Sequence, residues 1–170
     1  EYRIFISSST TDFANLGDTT GMDIVVGTWA HVAFVYDGTL AAADRLKVFK
    51  DGVEKTVAIT GTIPTTLTTP TDKAFCVGGR ADATIEDYDG LIDEVRIYNL
   101  ALTSSQISDL SQSDSTTLFG TPLGYWKLNN DYTDSSGNGL TLTAIGSPVF
   151  STDVPFVNYT AATGGAEPDP

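Results

Sequence analysis

Two carboxylates, Asp93 and Asp134, stand where this chain asks most of a charged group. Asp93 lies in Gly90-Leu91-Ile92-Asp93-Glu94-Val95-Arg96-Ile97-Tyr98, which alternates as a β-strand does. Leu91, Asp93, Val95 and Ile97 share one face; Ile92, Glu94, Arg96 and Tyr98 share the other. The first face is otherwise apolar and must be buried. A buried carboxylate needs a cation, hydrogen-bond donors or a place at the wet rim of the sheet. Asp134 opens the turn Asp134-Ser135-Ser136-Gly137-Asn138-Gly139, where glycines let backbone carbonyls turn inward. Carboxylates and carbonyls are the ligands of Ca²⁺, which takes roughly six to eight oxygens. Asp93, Asp134 and the oxygens around Gly137 and Asn138 are therefore a candidate calcium set, structural rather than catalytic. A second reading uses the same residues: Asp134 closes an Asx-turn and Asp93 is a rim carboxylate bonded to backbone N–H groups. Glu86, Asp87 and Asp89 read as a solvated acidic loop.

Catalysis finds no constellation. A retaining glycosidase would place two carboxylates on one strand face about 5 Å apart, in a Glu-x-Asp-x-x-Glu pattern that the chain does not contain. Asp93 and Glu94 are neighbours and, on a strand, point to opposite faces. The single histidine, His31, has no accompanying Ser or Cys nucleophile motif and reads as a core or groove residue. The expectation is that the chain is not an enzyme. Sugar binding would need exposed aromatics, for which Trp29, Tyr36, Tyr88 and Tyr98 are the candidates. Trp29 and Tyr36 fall on opposite faces of one strand, and core packing competes at each position. The triplet Asn158-Tyr159-Thr160 marks Asn158 as an N-glycosylation acceptor, a pattern also frequent without any such role.

The elements that must hold these residues are mostly strands. Strands are predicted at residues 1–9, 22–26, 28–36, 45–50, 53–59, 74–78, 91–99, 123–128 and 140–145, with short extended pieces at 148–150 and 156–160. Residues 28–36 are apolar on both faces, which predicts an interior strand. Asp51-Gly52 between alternating runs is a hairpin turn. Cys76 lies in an apolar run and reads as a small buried hydrophobe, with no disulfide or zinc set around it. Thr103-Ser104-Ser105-Gln106 has capping-box spacing, with Ile107 and Leu110 at helical distance, so one short helix ends near Ser111. Residues 111–120 are a linker by composition and 161–170 a tail.

A net charge of −13 and a pI near 4.1 argue against nucleic acid and anionic membrane surfaces as partners. No apolar run approaches the ~20 residues of a membrane span, so membrane insertion is not expected. Charged residues are only 18 %, so surface polarity rests on Ser and Thr hydroxyls. With the β-branched content, that predicts a secreted or cell-surface β-protein. The opening in mid-strand without a leader is read as a chain that extends upstream.

Three segments together resemble a known family. They are Gly27-Thr28-Trp29-Ala30-His31-Val32-Ala33-Phe34-Val35-Tyr36-Asp37-Gly38, then Leu46-Lys47-Val48-Phe49-Lys50-Asp51-Gly52, then residues 90–102 from Gly90-Leu91-Ile92-Asp93-Glu94 to Leu100-Ala101-Leu102. In order and spacing they resemble the later strands of laminin G-like, concanavalin A-like jelly-roll domains, closed by the short helix. The resemblance covers residues 1–110 and implies an all-β, antiparallel jelly-roll β-sandwich. Residues 121–160, through Gly124-Tyr125-Trp126-Lys127-Leu128-Asn129 and the Asp134 turn, are similar to the opening of the same family. The family's intervening pair of strands has no counterpart. Three organisations fit: a circularly permuted sandwich, an excerpt from a tandem array, or strand exchange between copies. The resemblance also implies a structural calcium joining the opening turn to the closing strand, where Asp134 and Asp93 fall. In function it implies a non-enzymatic module for adhesion or structure in a repeated or filamentous assembly, with other copies as partners. The rival implication is a calcium-dependent carbohydrate-binding module with a glycan partner.

Overall fold

The computed structural model describes residues 4–7, 13–16, 22, 24–56, 60–67, 74–79, 88–112 and 119–155. Among them are β1 (Ile4–Ser7), β2 (Phe13–Leu16), β3 (Val32–Tyr36), β4 (Leu46–Lys50), β5 (Val53–Lys55), β6 (Thr60–Gly61), β7 (Val95–Ile97), α1 (Ser104–Gln112) and β8 (Gly124–Trp126). Every strand pairing is antiparallel: β1-β2-β6, β3-β4-β5 and β7-β8. No helix among the described residues is long and apolar enough to cross a membrane. The chain divides into two compact units, Glu1–Gly90 with Leu100–Gln112, and Leu91–Asn99 with Ser113–Pro170.

In the first unit the hairpin forms as its turn residues require. Asp51 and Gly52 both have positive φ, 51° and 78°, the conformation of a two-residue turn whose twist matches the strands. Lys50 then pairs with Val53 and Val48 with Lys55. The turn is tied to β3 as well, since His31 N–H donates to Asp51 Oδ1 (2.9 Å) and Asp51 N–H to the His31 carbonyl (2.8 Å). Leu46 and Val48 on one face of β4 join Met22 and Ile63 in a buried cluster, with Ile24, Val32 and Tyr36 packed against it. Phe49, on the opposite face, is equally buried. The interior strand is thus β4, and not the 28–36 strand for which that place was predicted: Phe34 of β3 is half exposed. Among the described residues β4 has a strand on either side, while β3 is paired with β4 alone. Arg45 holds the preceding loop by donating to the Leu40 (2.9 Å) and Ile63 (2.7 Å) carbonyls.

The helix carries the capping box its sequence announced. Gln106 N–H donates to Thr103 Oγ1 (3.3 Å) and Thr103 N–H to Gln106 Oε1 (2.8 Å). Ile107 and Leu110 turn inward and are buried. The helix lies against the hairpin turn so closely that a Cβ on Gly52 would meet Ser111 Oγ at 2.5 Å and the Ser108 Cα at 2.9 Å.

Other predicted strands are not strands here. Of the predicted 22–26 strand, Met22 and residues 24–26 are described and are not strand; the backbone turns at 25–28, with Thr28 N–H and Oγ1 both donating to the Val25 carbonyl (3.3 and 2.8 Å) and Gly27 at φ 77°. Val26 is fully exposed. Residues 74–79 are irregular; Phe75 is half exposed, and Cys76 is a half-buried free thiol whose Sγ lies 3.7 Å from the Ala74 carbonyl. Residues 140–150 are irregular too. Apolar composition marked these runs, but without a neighbouring ladder it does not make a strand. The pieces at 156–160, the tail and the acidic Glu86 and Asp87 lie outside the described residues.

Candidate functional site

The second unit is built on a short strand pair in which one polar couple, Arg96 and Tyr125, stands among apolar neighbours. In the β7–β8 register Val95 faces Trp126, Arg96 faces Tyr125 and Ile97 faces Gly124. The predicted long strand is cut back to Val95–Ile97, because Glu94 takes a positive φ of 54° and breaks the alternation before it. The opening strand likewise stops at Trp126, short of the predicted 128, and Leu128 has φ 58°.

That turn at Glu94 sets up a buried charged network. Arg96 Nη2 lies 2.5 Å from Glu94 Oε2, and the two side chains are only 7 % and 9 % exposed. Tyr125 Oη donates to the same Glu94 oxygen (2.7 Å) and accepts from Arg96 Nη2 (3.2 Å). The Arg96 guanidinium carbon stands 4.6 Å from the Tyr125 ring centroid and Lys127 Nζ 5.7 Å from it. Tyr125 is almost wholly buried, as a phenol can be once its hydroxyl is bonded. Sequence reading missed this network. Its one signal was the i, i+2 spacing of Glu94 and Arg96 on a strand; the opposing tyrosine came from a strand about thirty residues further on.

Asp134 organises the turn that follows. Its Oδ1 accepts the backbone N–H groups of Tyr125 (3.0 Å) and Ser136 (2.8 Å), and its Oδ2 accepts Ser136 Oγ (2.7 Å) and Leu140 N–H (2.9 Å). Burial alone would push this carboxyl up; the bonds from Leu140, Ser136 and Tyr125 outweigh it and hold the group well below the usual carboxylate range. Ser135 N–H donates to the Tyr125 carbonyl (2.6 Å), so the turn lies along β8. Asn138 Nδ2 donates to the Leu123 (3.0 Å) and Pro122 (3.2 Å) carbonyls, and Trp126 Nε1 to the Leu140 carbonyl (2.7 Å). Gly137 and Gly139 have φ of 90° and 73° and open space where a Cβ would stand.

Asp93 behaves in the opposite way. Its carboxyl is half-buried and pushed up to about 6, chiefly by burial, with the N–H of Glu94 (2.9 Å) pulling the other way. As folded, Asp134 spends its roughly four acceptor positions on protein donors. Calcium at that turn must displace some of them, whereas Asp93 keeps acceptor capacity. Among the described residues no three His, Cys, Asp or Glu side chains converge as a metal set.

Of the aromatic candidates, Tyr88 is exposed (44 %) and shelters Gly90, where a Cβ would meet its ring at 2.7 Å. Tyr36 is half-buried with its hydroxyl on the Pro64 carbonyl (3.0 Å), and Trp29 is half-buried outside any strand. Tyr98 is half-buried, with no bonding partner for its buried hydroxyl among the described residues. Asn158 lies outside the described residues.

Antiparallel sheets with one capped helix among the described residues define an all-β protein of sandwich type. A laminin G-type family model, described as the concanavalin A-like lectin/glucanases superfamily, matches residues 1–108, and the chain belongs to that superfamily. Its fold class is the antiparallel jelly-roll β-sandwich. No curated protein and no solved structure matches the chain.

Proposed function

We propose that this chain is a non-enzymatic, extracellular laminin G-like module that serves adhesion or structure in a repeated or filamentous surface assembly. The observation that carries the reading is how two carboxylates, Glu94 and Asp134, are engaged. Glu94 is locked in an ion pair with Arg96, and Asp134 is engaged by protein donors at both oxygens. Neither is left to move a proton. The family membership supports a binding or structural role, since a fold of this kind hosts both. The net charge of −13 supports secretion or surface display and argues against nucleic acid and anionic membrane surfaces as partners.

One observation favours a second reading, a calcium-dependent carbohydrate-binding module. Asp93 is a half-buried carboxyl whose charge is disfavoured by its surroundings, and a cation beside it would relieve that. Retention of the full chain on immobilised polysaccharides, with calcium and with chelator, tests both. The structural reading expects no chelator-sensitive retention and no release of sugar. Retention lost on chelation establishes the second reading; sugar release overturns both.

A further inference from the structure

We infer that Asn138-Gly139 is a self-modification site: opening of the Asp134 turn lets the chain convert Asn138 to an acid, and the acid keeps the turn from closing again. The inference does not depend on what the module binds.

The chemistry needs only two neighbouring residues and water. The Gly139 amide nitrogen attacks Asn138 Cγ, and a C–N bond forms as the Cγ–Nδ2 bond breaks. The displaced nitrogen leaves as ammonia, taking up the proton that Gly139 N gives away. Water then opens the five-membered imide at either carbonyl, leaving aspartate or its β-linked isomer. Nothing is oxidised or reduced. Of the asparagines in the chain only Asn138 precedes a glycine, the residue whose missing Cβ leaves that nitrogen open to attack. Asn138 is also exposed, so water and base reach it.

The folded turn stands in the way. Asn138 Nδ2 donates to the Leu123 (3.0 Å) and Pro122 (3.2 Å) carbonyls and lies 3.2 Å from Ser136 Oγ, which also accepts Asn138 N–H (3.2 Å). The nitrogen that must leave is therefore the one that ties the turn to the residues just before β8. Ring closure runs through a state in which those bonds are broken, and its rate scales with how often the turn opens.

The product cannot restore the tie. A carboxylate accepts hydrogen bonds and donates none, so it sets negative oxygens against the two carbonyls that Asn138 served. Pro122 is fully buried, and its carbonyl gains little water in exchange. The Asp134 carboxylate already holds Ser136 Oγ (2.7 Å), the atom Asn138 leans on, so a second negative charge arrives beside the first. The β-linked isomer further lengthens the backbone between Gly137 and Gly139, whose φ values of 90° and 73° shape the turn. One local opening is thus recorded as a permanent one.

Peptide mapping by mass spectrometry, after the full chain is aged in warm, mildly alkaline buffer, tests this. The mass gain of an amide-to-acid conversion is expected at Asn138 before any other asparagine. It should be slow in the native chain and about tenfold or more faster in the urea-unfolded chain and in Asp134→Ala. Asn138→Asp, which carries the product from the start, should have a lower Tm and faster exchange of the Ser136 and Leu140 amides, with the β4 amides unchanged. If Asp134→Ala fails to fold, the native and urea-unfolded rates decide the gating by themselves. No conversion at Asn138, equal rates in the native and unfolded chains, or an Asn138→Asp chain as well protected as the native one would each overturn the inference.

Discussion

The β4–β5 hairpin and the β7–β8 pair are both antiparallel and both short, yet different forces hold them. The hairpin is local: its strands are joined by two residues, its register follows from Asp51-Gly52, and its buried side chains are apolar. The β7–β8 pair joins strands separated by the helix and a Ser-rich stretch, and beside the Trp126 ring it buries an ion pair and the phenol bonded to it. Apolar burial is forgiving and non-directional. A buried charge network holds only while every member is present, since a lone charge left behind has lost both water and partner. The two regions should therefore answer differently to the loss of single atoms.

The largest effect is expected at Arg96. Arg96→Ala strands the Glu94 carboxylate and should cost about 3–5 kcal/mol in chemical denaturation. Replacing both partners, as Glu94→Gln with Arg96→Met, should recover most of that; no recovery would mean the pair acts through packing alone. Next comes Asp134→Ala, which orphans three backbone donors and should cost about 2–4 kcal/mol. Hydrogen exchange would register it as lost protection of the Tyr125, Ser136 and Leu140 amides, with the β4 amides unchanged. A smaller loss is expected in the hairpin: Gly52→Ala places a Cβ at positive φ against α1 and should cost about 1–3 kcal/mol, read as a lowered Tm.

The smallest effect is one of pH, and it sets two carboxylates against each other. The folded chain holds the Asp93 proton more tightly than the unfolded chain does, with the group raised from 3.8 to about 6. Stability from this group is fully present below about pH 4 and is lost as pH rises through 6. Asp93→Asn should flatten that slope and raise Tm slightly at pH 7. Asp134 is depressed, so its contribution is present above about pH 4 and lost as pH falls further. Calcium bound at Asp93 would make chelation lower the Tm of the native chain but not of Asp93→Ala. Equal Tm with and without chelator in both chains removes that role for the residue.

Much of the first unit was legible because its signals are short-range. The Asp-Gly turn, the strand read at 45–50 and the capping box at Thr103 each act within a few residues, and the structure has all three, with the strand starting at Leu46. Apolar runs were a poorer guide: 22–26, 74–78 and 140–145 look like strands in composition but are not strands in the structure. The site was half legible. Asp134 in a Gly-rich turn was singled out, and the Asx-turn reading weighed there anticipates its bonds to Ser136. Its reach to Tyr125 and Leu140 was not foreseen, because those N–H groups approach only once β8 is in place. The positive φ of Glu94 was invisible, since nothing in a glutamate announces a left-handed backbone.

The chain by itself determined the class of fold, the hairpin, the helix and the family, because turn chemistry, side-chain period and residue order are written locally. Tertiary structure decided which strand lies inside, where Asp134 spends its four bonds, and that Glu94, Arg96 and Tyr125 form one network. Those outcomes depend on which groups lose water together, and that is settled only when distant segments meet.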